Sequence, residues 1–596
     1  MTETSNPAHP RVYMAPRIVE RSRSAAVEAS ALQMGYTPLQ AKIVAGRLAS
    51  GQASELRRHV QPRMGDLDAP DTLPDIDKAV DRIVRAVRGK EMLTVASDKD
   101  CDGVSGGAIV RGALIDMFGH PPELTFNVIG HRLRDGYGIS DGVVQRISAH
   151  GIRSGALISV DIGSGDEARV ADLARLGVDS VITDHHGVDG AGPPSAFACV
   201  NPTREDSKFP DPFIAGCHVA WLTMAAVRRE LIRVGHLSQE APHLGEYFQL
   251  SALGTTADCV SFARSRNNRL IVQRGLQLAN TEPLPAFEAF RQLCNITGPI
   301  RSSDLAMICA PALNAPGRMG DATDGLRFLR ATTVERAIEL GRVLIECNDH
   351  RKAVERELQA QALDAAAAQL GSAAAGLVVW LPNGHTGVAG IVASRLVGAY
   401  GRPTICLSPK DGKPGLATGS ARSVPGFHVR DALARIAELA PGLLRKWGGH
   451  EGAGGLETET AGIDELTALW GAAVRESRAQ IGPQILTDGA LPAPPDFHML
   501  AELEALQPFG REYDGPQFAQ VVTLRSIRTM GAANQHWRMN LEVAGRQVQA
   551  VWFNVPAHGW EPLAGIRLRA VFELGANTYR GDTSLQLLIR HMEPVI

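Results

Sequence analysis

A chain of 596 residues is too long for one hydrophobic core, and length alone leads to roughly three to five domains. Hydrophobic residues make up 44% and charged residues 21%, which excludes a disordered chain and fits an ordinary globular one. A formal net charge of −3 excludes a uniformly basic nucleic-acid binder but leaves room for a local basic groove. The cations are overwhelmingly Arg, whose planar fork suits phosphate. No uninterrupted apolar run reaches the ~18 residues of a membrane span, so no membrane association is expected. The polar N-terminus lacks an apolar signal core, and a cytoplasmic location is expected. The cysteines are scattered without a CxxC pair, which speaks against a disulfide framework or a structural zinc site.

Residues 1–75 read as an N-terminal helical region, with Ala and Leu at helical spacing from Ser24 to Arg58, followed by a Pro/Asp-rich connector. From 76 to 260 short apolar runs alternate with helical stretches. The runs MLTVAS, GALISVDIG and DSVITDHH each end abruptly in Asp, Gly or His. This alternation predicts a parallel sheet covered by helices, with ligands gathering at the carboxyl ends of the strands. Residues 261–372 read as a helical linker region ending in a long spacer helix. Strand-helix alternation resumes over 373–480, with a glycine-dense segment at 448–455. After an Ala/Pro linker, residues 490–596 contain five alternating strands, as in a small barrel of the OB type. The fold class is therefore α/β: two α/β lobes joined by a long helix, with a C-terminal β-barrel.

Four acidic or histidine clusters fall on the expected strand ends. They are Asp98-Lys99-Asp100-Cys101-Asp102-Gly103, Asp161 in VDIG, Asp184-His185-His186, and Asp258 in LGTTAD. Two closely spaced hard cations need several carboxylates, one of them often bridging, and one or two imidazoles. Any single cluster could be a helix cap, a turn or a surface pair. Together they supply a complete donor set, carboxylate-rich and free of thiolate, which suits Mn2+ or Mg2+ better than zinc.

The ordered motifs SDKDCDG, HRLRDGYG, VDIG, TDHH and LGTTAD resemble those of the DHH phosphoesterase superfamily. PALNAPGRMGDA, GHTGVAGIVASRL, ATGSARSVPGFHVRDAL, GGHEGAGG and LQPFGREYDGPQF extend the resemblance, from about residue 60 to the C-terminus, to its RecJ-like exonucleases. The resemblance implies a DHH domain, a DHH-associated domain and an OB-fold domain. It also implies a two-metal phosphodiesterase that degrades single-stranded DNA from the 5′ end in repair or recombination. By the same resemblance Asp100, Asp102, Asp161, His185 and Asp258 are metal ligands, with Asp161 bridging. Asp184 orients a neighbour and His186 meets the scissile phosphate. Asp98 stands ready as a substitute ligand. Arg132, Ser420 and Arg422 bind substrate phosphates, including the 5′ end, and Arg318 and His450 add contacts from the second lobe. A single-stranded-DNA-binding protein or a helicase is the protein partner that the resemblance suggests.

Several positions depart from that pattern. Ser97 and Lys99 flank the first Asp where Gly and an aromatic are common, and Ala96 stands where many relatives carry His. Arg134 replaces an acid beside the GYG motif, adding positive charge, and His218 replaces a Gly in AGCHVAW. The glycines of 448–455 could equally serve a tight turn. The aromatics Trp537, Trp552, Phe553 and Tyr579 fit either barrel core or base stacking, with core the commoner role of strand aromatics. Two other readings stay open: a DHH enzyme for oligonucleotides or cyclic dinucleotides, and a non-catalytic nucleic-acid-binding DHH protein.

Overall fold

The computed structural model describes residues 14–132, 134–152, 154–258, 260–371, 374–532, 534–556, 560–579 and 581–595. The N-terminal region holds three short helices, Ala25–Gln33, Pro38–Ala45 and Leu56–Val60. The Ser24 hydroxyl caps the first. Thr37 and Gln40 form a reciprocal capping box on the second, with Pro38 at its first position. A strand not expected from the sequence, Arg17–Glu20, pairs in parallel with Gln484–Thr487. Its partner lies hundreds of residues away, so no local pattern announces it. Nearby, Arg47 and Asp488 form a bidentate pair at 2.6 and 2.9 Å that clamps the N-terminal region to the barrel linker.

The first lobe is built on a five-stranded, all-parallel sheet. Its order is Thr125–Ile129, Leu93–Ser97, Gly155–Val160, Val178–Thr183, Ala198–Val200. The two edge strands were not legible as apolar runs. Alternate residues face opposite layers. Val95, Ile158 and Val181 pack with the large core that includes helices Ile76–Gly89, Cys101–Gly112 and Gly216–Arg233. Ala96, Leu157 and Ile182 pack instead with Val143, Ile147, Val170 and Leu173 of helices Asp141–Ala149 and Glu167–Arg175. Burial on both faces explains the continuous apolar strands.

A helix of 38 residues, Val334–Gly371, joins the lobes. It packs against helix Ala310–Met319 of the first lobe and helix Thr386–Tyr400 of the second. The second sheet is mixed, in the order Leu444–Gly449, Ala453–Glu459, Leu416–Arg422, Thr404–Pro409, Leu377–Trp380, and only the last two strands are parallel. The glycine-dense segment forms the hairpin between its first two strands rather than a loop alone.

Five strands, Phe518–Met530, His536–Val543, Arg546–Trp552, Arg567–Tyr579 and Asp582–Pro594, close into the expected barrel. The stretch LGANTY continues the fourth of these strands to Tyr579. Trp537 and Trp552 are paired in register, edge to face at 5.6 Å, and buried. Phe553 and Tyr579 are exposed by 54% and 65%, which separates the two pairs: the tryptophans are core and the other two rings face out.

Candidate active site

The acidic clusters converge because three of them end adjacent central strands of the first sheet. Asp98 and Asp100 follow Leu93–Ser97, Asp161 follows Gly155–Val160, and Asp184, His185 and His186 follow Val178–Thr183. Asp258 comes from elsewhere, at the C-terminal end of helix Phe248–Ala257. Asp100 caps helix Cys101–Gly112, its Oδ1 accepting the N–H groups of Asp102 and Gly103 at 3.1 Å each. Asp102, in the first turn of that helix, accepts the N–H groups of Gly216 at 2.8 Å and Cys217 at 3.1 Å. Helix Gly216–Arg233 thus points its N-terminus at the acidic cluster, which lessens the cost of gathering negative charge. A Cβ at Gly216 would lie 2.7 Å from Asp161 Oδ1, so only glycine permits this approach. Asp161 itself sits at φ 64, in the left-handed region that Asp tolerates better than most residues. Such strained backbone concentrates at functional sites.

His185 Nε2 lies 3.1 Å from Asp161 Oδ1, 3.5 Å from Asp258 Oδ2 and 3.9 Å from Asp102 Oδ2. Both His185 Nε2 and Asp161 Oδ1 are buried without a hydrogen-bond partner. Donor atoms cluster in three overlapping sets: Asp98, Asp100 and Asp161; Asp161, His185 and His186; and Asp102, His185 and Asp258. Asp161 and His185 each belong to two sets. Burial first, then neighbouring carboxylates, push Asp100 up to about 6 and raise Asp102 and Asp161. Burial also brings Asp258 to about 6, against the pull of His185. The residues fit hard divalent cations such as Mn2+ or Mg2+. Orphaned donors and crowded carboxylates are what such ions satisfy, and the nearby Cys101 and Cys217 thiols are pushed far up by burial and stay protonated.

Asp184 has no oxygen to spare. Its Oδ2 accepts from Ser164 N–H at 3.0 Å, and its Oδ1 accepts from the His185 and His186 N–H groups and from His186 Nδ1 at 2.8 Å. Burial would raise this carboxyl, yet the His186 contact holds it below its ordinary value. His186 is carried the other way: burial lowers it, but Asp184 and Asp161 outweigh burial and lift it to about 9. The His186 imidazolium, 44% exposed at its side chain, is the cation that this pair presents to the cleft.

Two residues absent from the sequence-derived candidates complete this wall. The Tyr137 hydroxyl lies 3.0 Å from His186 Nε2. Lys99 Nζ donates to Asp98 Oδ1 at 3.1 Å and to the Gly136 carbonyl at 2.9 Å, and lies 5.2 Å from the centre of the Tyr137 ring. The GYG motif was the available signal for Tyr137. Lys99 was legible only as a departure. Asn314, from the LNAPGR segment, accepts the Cys101 N–H at 2.7 Å and ties that segment to the metal-binding loop. A Cβ at Gly317 would lie 2.4 Å from the Lys99 carbonyl, another required glycine.

The expected substrate contacts form an opposing, cationic wall. Burial and then Arg132 lower Arg318 to about 10, and the same two causes lower Arg422, so these guanidiniums sit in one another's fields. Arg132 Nε is buried without a hydrogen-bond partner. Ser420 and Arg422 alternate along strand Leu416–Arg422 and share a face. A Cβ at Gly390 would meet Arg422 Nη2 at 2.5 Å and Ser420 Oγ at 3.3 Å, so the GHTGVAGIVAS helix leaves room for them. His450, just past Leu444–Gly449, is lowered by partial burial and then by Arg511, Arg422, His186 and His428. That field brings His450 and His186 to the same cleft. His218 stays out of it, buried against Ser251 Oγ at 2.9 Å and stacked on Trp221.

Comparison with known proteins agrees with this architecture. The DHH family, N-terminal domain matches residues 92–255, the DHHA1 domain 374–476 and the RecJ OB domain 488–591. Single-stranded-DNA-specific exonuclease RecJ of Dickeya dadantii is 32% identical over 536 residues, covering 88% of this chain and 91% of the relative. The crystal structure of RecJ in complex with Mn2+ from Thermus thermophilus shares the fold with a TM-score of 0.76 at 24% identity, covering 97% of this chain and 79% of that one. A crystal structure of exonuclease RecJ bound to manganese, 28% identical, covers 69% of this chain and 97% of its own with a TM-score of 0.54. With an acidic sheet-end centre, a facing arginine wall, all three domain models in order and a relative above 30% identity over most of both lengths, this chain belongs to the RecJ family.

Proposed function

We propose that this chain hydrolyses phosphodiester bonds of single-stranded DNA stepwise from the 5′ end, in DNA repair or recombination. The observation that carries the reading is the pairing of two walls across one cleft. Orphaned acidic and imidazole donors lie on one side, and mutually repelling guanidiniums on the other. Asp98, Asp100, Asp102, Asp161, His185 and Asp258 would hold two divalent cations. Bound there, the ions would polarise the phosphate and lower the charge cost of attack. Asp184 holds the His186 ring, and His186, kept protonated by Asp184, donates to a non-bridging oxygen of the scissile phosphate. Tyr137 braces the same ring from outside. Arg132, Ser420 and Arg422 anchor the 5′ phosphate, while Arg318 and His450 hold the intervening backbone. An anchor at fixed distance from the centre sets polarity, since only a chain terminus reaches both.

The remaining strand has a track. A cavity of about 560 Å³ beside Arg318 is lined also by Asn314, Arg351, Arg356 and Arg395. It continues along the long helix past Gln359 and Leu363 to Asn554 and Phe553 on the barrel. Cations and one outward aromatic along an extended path suit a long strand and exceed what a dinucleotide needs. The test is digestion of a 3′-labelled single strand, with and without a 5′ phosphate, in manganese. Stepwise shortening from the 5′ end, faster with the phosphate, is the expected result. Cleavage of dinucleotides alone would support the small-substrate reading, and strand binding without hydrolysis would support the binding-protein reading.

A further inference from the structure

Hydrolysis from the 5′ end creates a traffic problem. Each cycle leaves a nucleotide whose 5′ phosphate still occupies the anchor, and a shortened strand whose new 5′ phosphate must move into that anchor. The strand fills the cleft on the Arg318 side, so the product needs another way out. A second cavity, of about 1020 Å³, begins at Arg132 and Tyr137, and none of the metal-centre carboxylates lines it. Small-molecule sites span roughly 300–1,000 Å³, so a mononucleotide fits with room to leave.

The charge of this cavity is more one-sided than its composition. Of its lining carboxylates, Asp135 is held by Arg146 at 2.6 Å and by the His131 N–H at 2.7 Å. Asp141 pairs with Arg169 at 2.5 Å, Asp166 accepts the Ile139 N–H at 2.6 Å, and Glu457 pairs with Lys410. Among the described residues, Arg132, Arg134, Lys413 and Lys446 have no ion-pair partner, against Asp166 and Asp411 among the lining acids, and Asp166 is held by the Ile139 N–H. Arg132 is half-buried at the inner end, whereas Arg134, Lys413 and Lys446 are exposed at the rim. Both lobes contribute. Unpaired cations thus lead from the anchor to solvent.

We propose that this cavity is the exit chamber for the released nucleoside 5′-monophosphate, its phosphate passing from Arg132 to Arg134, Lys413 and Lys446. This rests on the reading that Arg132, Ser420 and Arg422 anchor the 5′ end. The basic rim lowers the cost of leaving the anchor, and the product departs while the strand stays in place.

The test uses the full chain and its Lys413→Ala/Lys446→Ala variant. Binding of thymidine 5′-monophosphate is measured by calorimetry in EDTA, with thymidine as the uncharged control. Losing two charged contacts weakens the monophosphate by about tenfold. Single-turnover cleavage of the first phosphodiester bond stays at the parent rate, while multiple turnover on long strands slows. Unchanged monophosphate affinity, or unchanged multiple turnover, overturns the chamber. Comparing 5′-phosphate with 5′-hydroxyl strands on the parent separates the two readings. A parent that does not discriminate refutes the anchor and the chamber together, and one that discriminates while the variant binds monophosphate normally refutes the chamber alone.

Discussion

Two clusters of like charge, one largely buried and one half-buried, face each other in this protein, and they are built differently. The acidic one gathers mainly at the ends of parallel strands, with Asp258 added from a helix end, braced by the N–H groups of two helix starts. The arginine one draws on three separate places: the loop after Thr125–Ile129, helix Ala310–Met319 and strand Leu416–Arg422. Each is a poor arrangement alone, because burial and repulsion penalise both sets of charges. Each becomes favourable when its ligand arrives, cations for one and phosphate for the other. Functional charge is held here against the interest of the free fold.

The sharpest way to break the comparison is to discharge the acidic side. Asp161→Ala removes the donor shared by two ligand sets, and activity should fall by about three orders of magnitude or more, several kcal/mol of barrier. Thermal melting in EDTA should show no loss of stability, because crowding is relieved. A less stable variant would mean that the carboxylates support the fold. On the other wall, Arg422→Ala should cut kcat/KM for 5′-phosphorylated strands by about ten- to a hundredfold, the size of a charge-assisted contact, and leave 5′-hydroxyl strands unchanged. Equal losses on both substrates would remove the 5′ anchor from this side of the cleft.

A smaller effect concerns the frame behind the acidic wall. Burial lowers His218 to about 3, on the helix that braces Asp102. The unfolded chain takes up this proton near pH 6.5 and the folded chain does not, so the His218 contribution to stability falls as pH drops from 6.5 toward 3. Asp100 and Asp258, raised to about 6, act in the opposite sense in metal-free protein, gaining stability as they protonate below that value. Comparing His218→Gln with the parent isolates the His218 contribution. Between pH 6.5 and 5 the difference should move in favour of the variant by roughly fifteenfold in folding equilibrium, read in denaturant titrations. Least of all, Phe553→Ala should weaken long-strand binding about fivefold through lost stacking, with no effect on strands too short to reach the barrel.

How much of this was legible depended on how local the cause is. The strand ends carrying Asp98, Asp161 and Asp184 could be read because apolar runs stop abruptly at them. The barrel strands could be read from alternation, and their core tryptophans follow from it. The Arg17–Glu20 strand could not, since its partner is Gln484–Thr487. Edge strands Thr125–Ile129 and Ala198–Val200 are short and weakly patterned. Asp258 lies on a helix end rather than a strand end, which only the tertiary fold explains. Lys99 stood out as an oddity, yet its bonds to Asp98 and Gly136 needed the folded loop to appear.

The most direct measurement is manganese titration of the full chain by calorimetry, alongside Asp161→Asn. Two ions per chain are expected in the parent, with loss of at least one in the variant and the fold intact by circular dichroism. Two ions bound equally by both proteins, or none by the parent, would contradict the assignment of this centre.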